Sequence, residues 1–436
     1  MTVVRKSAKN GFACAAGLAL AGVFLAAGVA RADLQTWKDT FYDAYGVDLN
    51  GFIEARNGWR LQNDPHEKDV SLAELRLQLE AGKDLGWGTL ALKGELLGDF
   101  VTDDYTALLR EGNFLFSPLA AMDMKVGRQV LTWGAGDLLF INDLFPKDWK
   151  SFFIGRDDEY LKAPSDAVKV SYFHELANVD LVLVPVFNAS DYIDGERLSY
   201  WNPILGETAG QNYFLDTEDR SSFGRDSELA LRLAGNYGGT ELALYQYSGF
   251  WKTPEGMDAA TGQLIYPRLS VYGASARDQL WGGIGSLEAG YYDSRQDQHG
   301  DDPLIRNSEW RFLAGFEREL ARNFTGSLQY YVEWMQDYDA YRDSLPAASP
   351  ARDEYRHLLT LRLTKLLMNQ NLALSFFAYY SPSDQDCYLR PKVRYKIDDH
   401  WAIEAGGNLF YGSDDFTFFG QFQDNTNAYA SLRWSF

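Results

Sequence analysis

From residue 48 to the C-terminus, stretches of roughly ten residues alternate apolar and polar side chains with a period of two. In 74–81, Leu75, Leu77 and Leu79 alternate with Glu74, Arg76, Gln78 and Glu80. In 228–234, Leu229, Leu231 and Leu233 alternate with Glu228, Ala230 and Arg232. In 389–397, Leu389, Pro391, Val393, Tyr395 and Ile397 alternate with Arg390, Lys392, Arg394 and Lys396. A helix, with its period of 3.6, would scatter both sets around its axis. About eighteen such segments are expected, near 48–62, 70–82, 87–100, 105–116, 121–132, 166–174, 179–189, 225–236, 240–250, 266–276, 283–293, 308–320, 323–336, 354–367, 370–380, 387–397, 400–411 and 426–436.

The outward sets are Leu, Val, Ala and aromatic, the composition of a surface that faces lipid. After the leader, the most apolar run is Leu181–Phe187, too short to span as a helix and interrupted by Pro185. Short connections alternate with long ones at 133–165, 190–224, 251–265, 293–307, 337–353 and 412–425. Trp59, Trp87, Tyr105, Trp281, Trp334 and Trp401 fall at strand ends, where an amphipathic ring suits a membrane interface. These features predict an all-β fold: a transmembrane antiparallel β-barrel of about 18 strands. A strand in hydrocarbon must pair every backbone N–H and C=O, so the first and last strands are expected to pair with each other. The final segment NAYASLRWSF, ending in Phe436, resembles the assembly signal of outer-membrane barrels, which makes membrane lipid, lipopolysaccharide and the barrel-assembly machinery the expected partners.

The N-terminus reads as a signal peptide over 1–32. Arg5, Lys6 and Lys9 precede an uncharged apolar run at 11–30, and Ala30-Arg31-Ala32 is a small-x-small cleavage pattern. Residues 33–46 then form a short periplasmic segment. Trp37, Phe41 and Tyr45 recur there at i, i+4 and i+8, which suits a short helix. Residues 47–436 form the barrel. The expected location is the outer membrane of a Gram-negative bacterium.

Composition excludes several functions. With 61 Asp+Glu against 41 Lys+Arg the chain is strongly acidic, contrary to nucleic-acid binding through a basic surface. Of its two cysteines only Cys387 survives cleavage of the leader, so no internal disulfide is expected. No metal site, haem attachment motif or other cofactor is expected. The five histidines are His66, His174, His299, His357 and His400, and no serine beside them carries a hydrolase motif. His357, with lipid-facing parity, is the one place a membrane-face hydrolase would work, and a non-enzyme is the expectation.

Parity also names the lumen wall. One arc is basic: Arg356, Arg362, Arg390, Lys392, Arg394, Lys396, Arg433, Arg56 and Arg60, with Glu54, Glu74, Glu404 or loop acids as partners. A separate arc is acidic: Glu288, Glu309, Glu317 and Glu333, with Arg311 among them. Opposed arcs would set a transverse field across the opening. The segment 127–165 is the most individual part of the chain. It packs Trp133, Phe140, Phe145, Trp149, Phe152 and Phe153 among Asp137, Asp143, Asp148 and Arg156, with Gly134, Gly136 and Pro146 for turns. The loop 133–165 within it can fold inward as a constriction, with Arg128, Asp137, Asp143, Asp148 and Arg156 at the narrowing, or cap the rim.

The box Gly127-Arg128-Gln129, Trp133-Gly134, Asn142-Asp143 and Pro146-x-Asp148 resembles one in a family of uncharacterised outer-membrane porins. More distantly it is similar to the segment of alginate-export porins that carries Gly-Arg-Gln. That resemblance implies an eighteen-stranded barrel with an arginine-rich lumen passing an acidic polysaccharide, and it carries over only Arg128 and Gln129, at a strand rim. The expectation is a passive porin-like channel for polar, anionic solutes or oligosaccharides. The alternatives are a channel for hydrophobic compounds and a structural barrel serving a periplasmic partner. The sequence carries no interface signal for oligomeric state.

Overall fold

The computed structural model describes residues 36–346 and 349–436, so the leader at 1–32 lies outside the described residues. The barrel strands are β1 (Val47–Arg60), β2 (Val70–Asp84), β3 (Gly88–Asp99), β4 (Asp104–Leu119), β5 (Met122–Val130) and β6 (Pro164–Tyr172). They continue with β7 (Asn178–Val184), β8 (Glu228–Tyr237), β9 (Thr240–Phe250), β10 (Arg268–Leu280), β11 (Gly283–Ser294) and β12 (Glu309–Ala321). The last six are β13 (Phe324–Met335), β14 (Tyr355–Leu367), β15 (Leu372–Ser381), β16 (Asp386–Lys396), β17 (Trp401–Gly412) and β18 (Asn427–Ser435). Each pairs with its sequence neighbour in one 18-stranded sheet. β18 then pairs antiparallel with β1, from Phe52 opposite Ser435 to Arg60 opposite Asn427. That last ladder closes the sheet, and no barrel strand is left with a free edge.

The connections separate by end. At one end the turns are 85–87, 120–121, 173–177, 238–239, 281–282, 322–323, 368–371 and 397–400. The other end carries 131–163, 185–227, 251–267, 295–308, 336–354 and 413–426, together with the shorter 61–69, 100–103 and 382–385. β1 begins and β18 ends on the short-turn side, the periplasmic one in a barrel of this type. Residues 36–45 form helix α1 there, ahead of β1. Helices α2 (Trp149–Ile154) and α3 (Tyr338–Ser344) belong to the long outer connections.

Burial is inverted relative to a water-soluble protein. Glu74, Arg76 and Gln78 of β2 are buried, whereas Leu79 is 49% exposed. Leu244, Leu287 and Leu328 stand out in the same way from β9, β11 and β13. A lipid-facing exterior and a polar, filled interior account for both. Exposed aromatic residues ring the two ends: Trp87 and Trp281 on the short-turn side, Trp59 and Tyr105 on the other. The fold is therefore that of an outer-membrane transmembrane barrel. Among the described residues no helix is long and apolar enough to cross a membrane.

Leu287, outward and mid-strand on β11, tests this surface. Replacing it with Arg should lower unfolding stability by about 2–4 kcal/mol in urea titrations in lipid vesicles. Replacing the inward neighbour Ser286 with Arg should have a much smaller effect.

Candidate functional site

Between β5 and β6 the chain turns into the barrel. Its first reach, residues 133–142, ends on the wall formed by β11, β13, β14 and β15. Glu288 of β11 is the main fixture. Its carboxylate accepts the backbone N–H groups of Ala135 at 2.8 Å, Gly136 at 3.0 Å and Asn142 at 2.9 Å, and the Asn142 amide at 2.9 Å. Asp137 donates its N–H to Gln329 of β13 at 2.8 Å and takes the Arg362 guanidinium of β14 at 2.5 and 2.7 Å. Tyr379 and Tyr292 donate their hydroxyls to the carbonyls of Leu138 and Ile141 at 2.9 and 2.5 Å.

The segment then crosses to the wall formed by β16, β18, β1 and β2. Asp148 caps α2 by accepting the Ser151 N–H at 2.7 Å. Gly155 ends the helix with φ +91°, and its carbonyl takes Arg56 at 2.6 Å. A Cβ at Gly155 would lie 2.3 Å from the Tyr429 ring, so both the left-handed backbone and the contact require glycine. Arg156 donates to both oxygens of Glu74, at 2.5 and 3.1 Å. Asp157 takes Arg433 at 3.1 Å, and Asp158 takes Arg390 at 2.8 Å and Lys392 at 2.7 Å. Phe152, Phe153 and Ile154 pack with Tyr388, Phe410 and Phe422 in a core inside the barrel.

A second outer connection, 185–227, lies against the first. Asp191 donates its N–H to the Lys147 carbonyl at 2.8 Å and accepts the Trp149 N–H at 2.9 Å. Its Arg197 reaches Glu74 at 3.2 Å and also binds Asp99. The two connections thus share the buried carboxylates of β2 and β3.

Several residues named from sequence stand elsewhere than expected. Arg128 is not in the narrowing. It lies on the outer face of β5 and pairs with Asp166 of β6 at 2.7 Å, because its parity is that of Val126 rather than Gln129. Gln129 points inward and is fully buried. The separate acidic arc does not exist. Glu288 is covered by the inserted segment, and Glu317 is exposed near the short-turn end, with no cation within 4.0 Å of its carboxylate among the described residues. Glu309 and Glu333 sit among arginines. Glu309 meets Arg306 at 3.1 Å and Arg311 at 2.5 Å, and Glu333 meets Arg356 at 3.7 Å. Asp143 pairs with the buried Lys147 at 3.0 Å and shapes the segment rather than facing open space.

The basic wall is matched in the same way. Arg56 meets Glu54 and Glu404, each at 3.1 Å, Arg433 meets Glu54 at 2.9 Å, and Arg60 approaches Asp64 at 3.8 Å. Only Arg394 and Lys396, 47% and 55% exposed, keep loosely held charges, at 4.0 Å from Asp157 and 3.7 Å from Asp399. Sequence parity did not identify Arg306, Arg352 or Arg197, which lie in connections where alternation gives no face. The small wall residues Gly273 and Gly290 were also missed. They make room for Asn142 and Ile141, and a Cβ at Gly273 would lie 1.7 Å from the Asn142 side-chain oxygen.

Above the inserted segment a cavity of about 1700 Å³ opens toward the long connections. Phe140, Trp149, Trp201, Phe416 and Phe418 line one part of it, and Arg306, Arg311, Arg352, Arg356, Glu309 and Glu333 line another. Among the described residues no cluster of His, Cys, Asp or Glu could hold a metal. His357 faces outward, its Nδ1 2.7 Å from the Tyr330 hydroxyl.

No protein-family model matches the chain, and no curated protein matches it. Among solved structures it is similar to OccAB3 of Acinetobacter baumannii, with TM-score 0.54, 10% identity, and coverage of 89% of this chain and 99% of that one. It is also similar to OccD3 (OpdP) of Pseudomonas aeruginosa, with TM-score 0.53, 9% identity, and coverage of 90% and 91%. At these identities the likeness is one of fold.

Two outcomes follow from the fixtures. Glu288→Ala removes a carboxylate from four donors and should destabilise the folded barrel by about 3 kcal/mol in urea titrations, with increased proteolysis within 133–142. The second concerns acid. Burial alone would raise the Asp158 pKa, but Arg390 and Lys392 outweigh it and hold the carboxyl well below its ordinary range. A depressed folded pKa means the stabilisation is complete above about pH 4 and is lost as pH falls through the lowered value. Protease accessibility of 155–160 should therefore rise only in strong acid, and Asp158→Asn should show that accessibility at neutral pH.

Proposed function

We propose that the protein is a passive outer-membrane channel whose lumen is narrowed by the inserted segment 131–163 and which passes small polar solutes, anions in preference to cations. The observation that carries this reading is the anchoring of one connection to both walls by charge-assisted bonds, through Asp137 and Arg362 on one side and Asp158 with Arg390 and Lys392 on the other. Such bonds are short and directional, and they favour a fixed narrowing over a wide, open pore. A wide barrel without the segment would enclose a lumen too large for its own side chains to fill. The anion preference is supported by Arg394 and Lys396, whose exposed charges stand on the wall below the narrowing.

The aromatic part of the outer cavity favours a second reading, in which the solute also carries an apolar body. Planar-bilayer recording under a salt gradient tests the first. The wild type should open small channels with an anion-selective reversal potential. Changing Arg390, Lys392, Arg394 and Lys396 together to Gln should move that potential toward the non-selective value. Gly273→Val, which displaces Asn142, should enlarge the single-channel conductance. Absence of channel events would reject a channel, and an unmoved reversal potential would reject the basic wall as the filter. Competition by small aromatic acids, absent with aliphatic acids of equal charge, would favour the second reading.

A further inference from the structure

At the outer rim, above β8 to β11, three arginines stand together on the exterior of the barrel. Arg268 opens β10 and is exposed, and its direction is fixed by alternation: the next residue, Leu269, is buried in the interior core. Arg295 follows Ser294, which is fully buried, and so shares the outward side of Tyr291 and Asp293. Arg225 lies just before β8, with its side chain 70% exposed. The three are joined through the backbone. Arg268 donates from its guanidinium to the Arg225 carbonyl at 3.5 Å, and the Arg295 N–H donates to the Arg268 carbonyl at 2.9 Å.

Their charges are only partly answered. Arg225 approaches Asp226 at 3.6 Å, but that carboxylate is also held by Arg220 at 3.3 Å and by the Ser222 N–H at 2.9 Å. Arg295 approaches Asp293 at 3.6 Å and is 48% exposed. Among the described residues no carboxylate lies within the 4.0 Å of an ion pair from Arg268, whose guanidinium rests over the Phe250 ring at 5.2 Å. Four residues further along the same face stands Tyr272, 52% exposed, in the aromatic belt. The cations therefore sit just above the level where acyl chains give way to headgroups.

We infer that Arg225, Arg268 and Arg295 form a binding site for the phosphate of a phosphorylated glycolipid in the outer leaflet, of the lipid A type. Planar guanidinium groups suit phosphate oxygens, each offering two parallel donors. A phosphate at this height would supply the anionic partner that Arg268 lacks, while the acyl chains of the same molecule would cover Tyr272 and the leucines below it. Because the site is on the exterior, it is independent of whether the lumen conducts.

The experiment is native mass spectrometry of the full-length protein in detergent, titrated with bisphosphorylated lipid A, with its dephosphorylated form and with phosphatidylglycerol. The wild type should retain the first well above the other two. Replacing the three arginines with Gln should weaken lipid A retention by about a hundredfold, and Arg268→Gln alone by about tenfold. Arg394→Gln with Lys396→Gln, which removes two cations from the lumen, should leave retention unchanged. Heat-modifiable migration in gels checks that each variant is folded, and the single variant decides the matter if the triple one is not. Equal retention of the dephosphorylated lipid, or of phosphatidylglycerol, would overturn the assignment, as would unaltered binding by the folded Arg268→Gln variant.

Discussion

Every strand of this barrel passes through a medium that offers the backbone no hydrogen-bond partner, so each must find one in a neighbouring strand. The ladder between β1 and β18 meets that requirement for the two strands that would otherwise be edges. Much else follows from closure. With an even number of strands, β1 begins and β18 ends on one side, the short turns lie on that side and the long connections on the other, and the closed sheet creates an interior whose contents are decided separately from its lipid-facing surface. The C-terminal Phe436 takes part directly. Its N–H donates to the Gly51 carbonyl at 2.9 Å, and its carbonyl accepts the Gly51 N–H at 3.1 Å, extending the seam by one residue.

The interior is governed by a different balance. Taking a charge out of water is expensive, and a buried ion pair offsets that only when its geometry is good and its remaining donors and acceptors are satisfied. The wall of β1, β2, β16 and β18 carries more cations than its own strands can pair. The inserted segment brings Asp157 and Asp158 to Arg433, Arg390 and Lys392, and in return its Arg156 is taken by Glu74. The wall and the segment are thus mutually required: removing either would leave several buried charges unmatched. The same exchange occurs at Arg362 and Asp137 on the opposite wall. A transverse field between a basic and an acidic arc is replaced by local pairing, with loosely held charge surviving at Arg394 and Lys396, at the short-turn end of β16.

The strand pattern was legible because period-two alternation survives wherever one face meets lipid and the other does not. On β16 the alternating cations Arg390 and Lys392 both meet Asp158 of the inserted segment. The pattern failed where parity had no anchor. Arg128 was assigned to the narrowing by its place in a conspicuous box, whereas alternation with the buried Gln129 puts it outside, against Asp166. Parity alone puts Glu288 in an acidic arc facing the opening, although its carboxylate accepts four hydrogen bonds from the inserted segment. Nothing local to Glu288 distinguishes these roles, because its partners lie about 150 positions away in the chain.

The sequence by itself determined the strands, their number, the lipid-facing surface and the composition of each wall, because these depend on the order of side chains within a few residues and on the solvent they meet. Only the tertiary structure decided which charges remain available. That outcome depends on where 131–163 and 185–227 cross the lumen, and on whether wall glycines such as Gly273 leave space for them. Pairing between distant charges is set by three-dimensional distance, to which the one-dimensional pattern has no access.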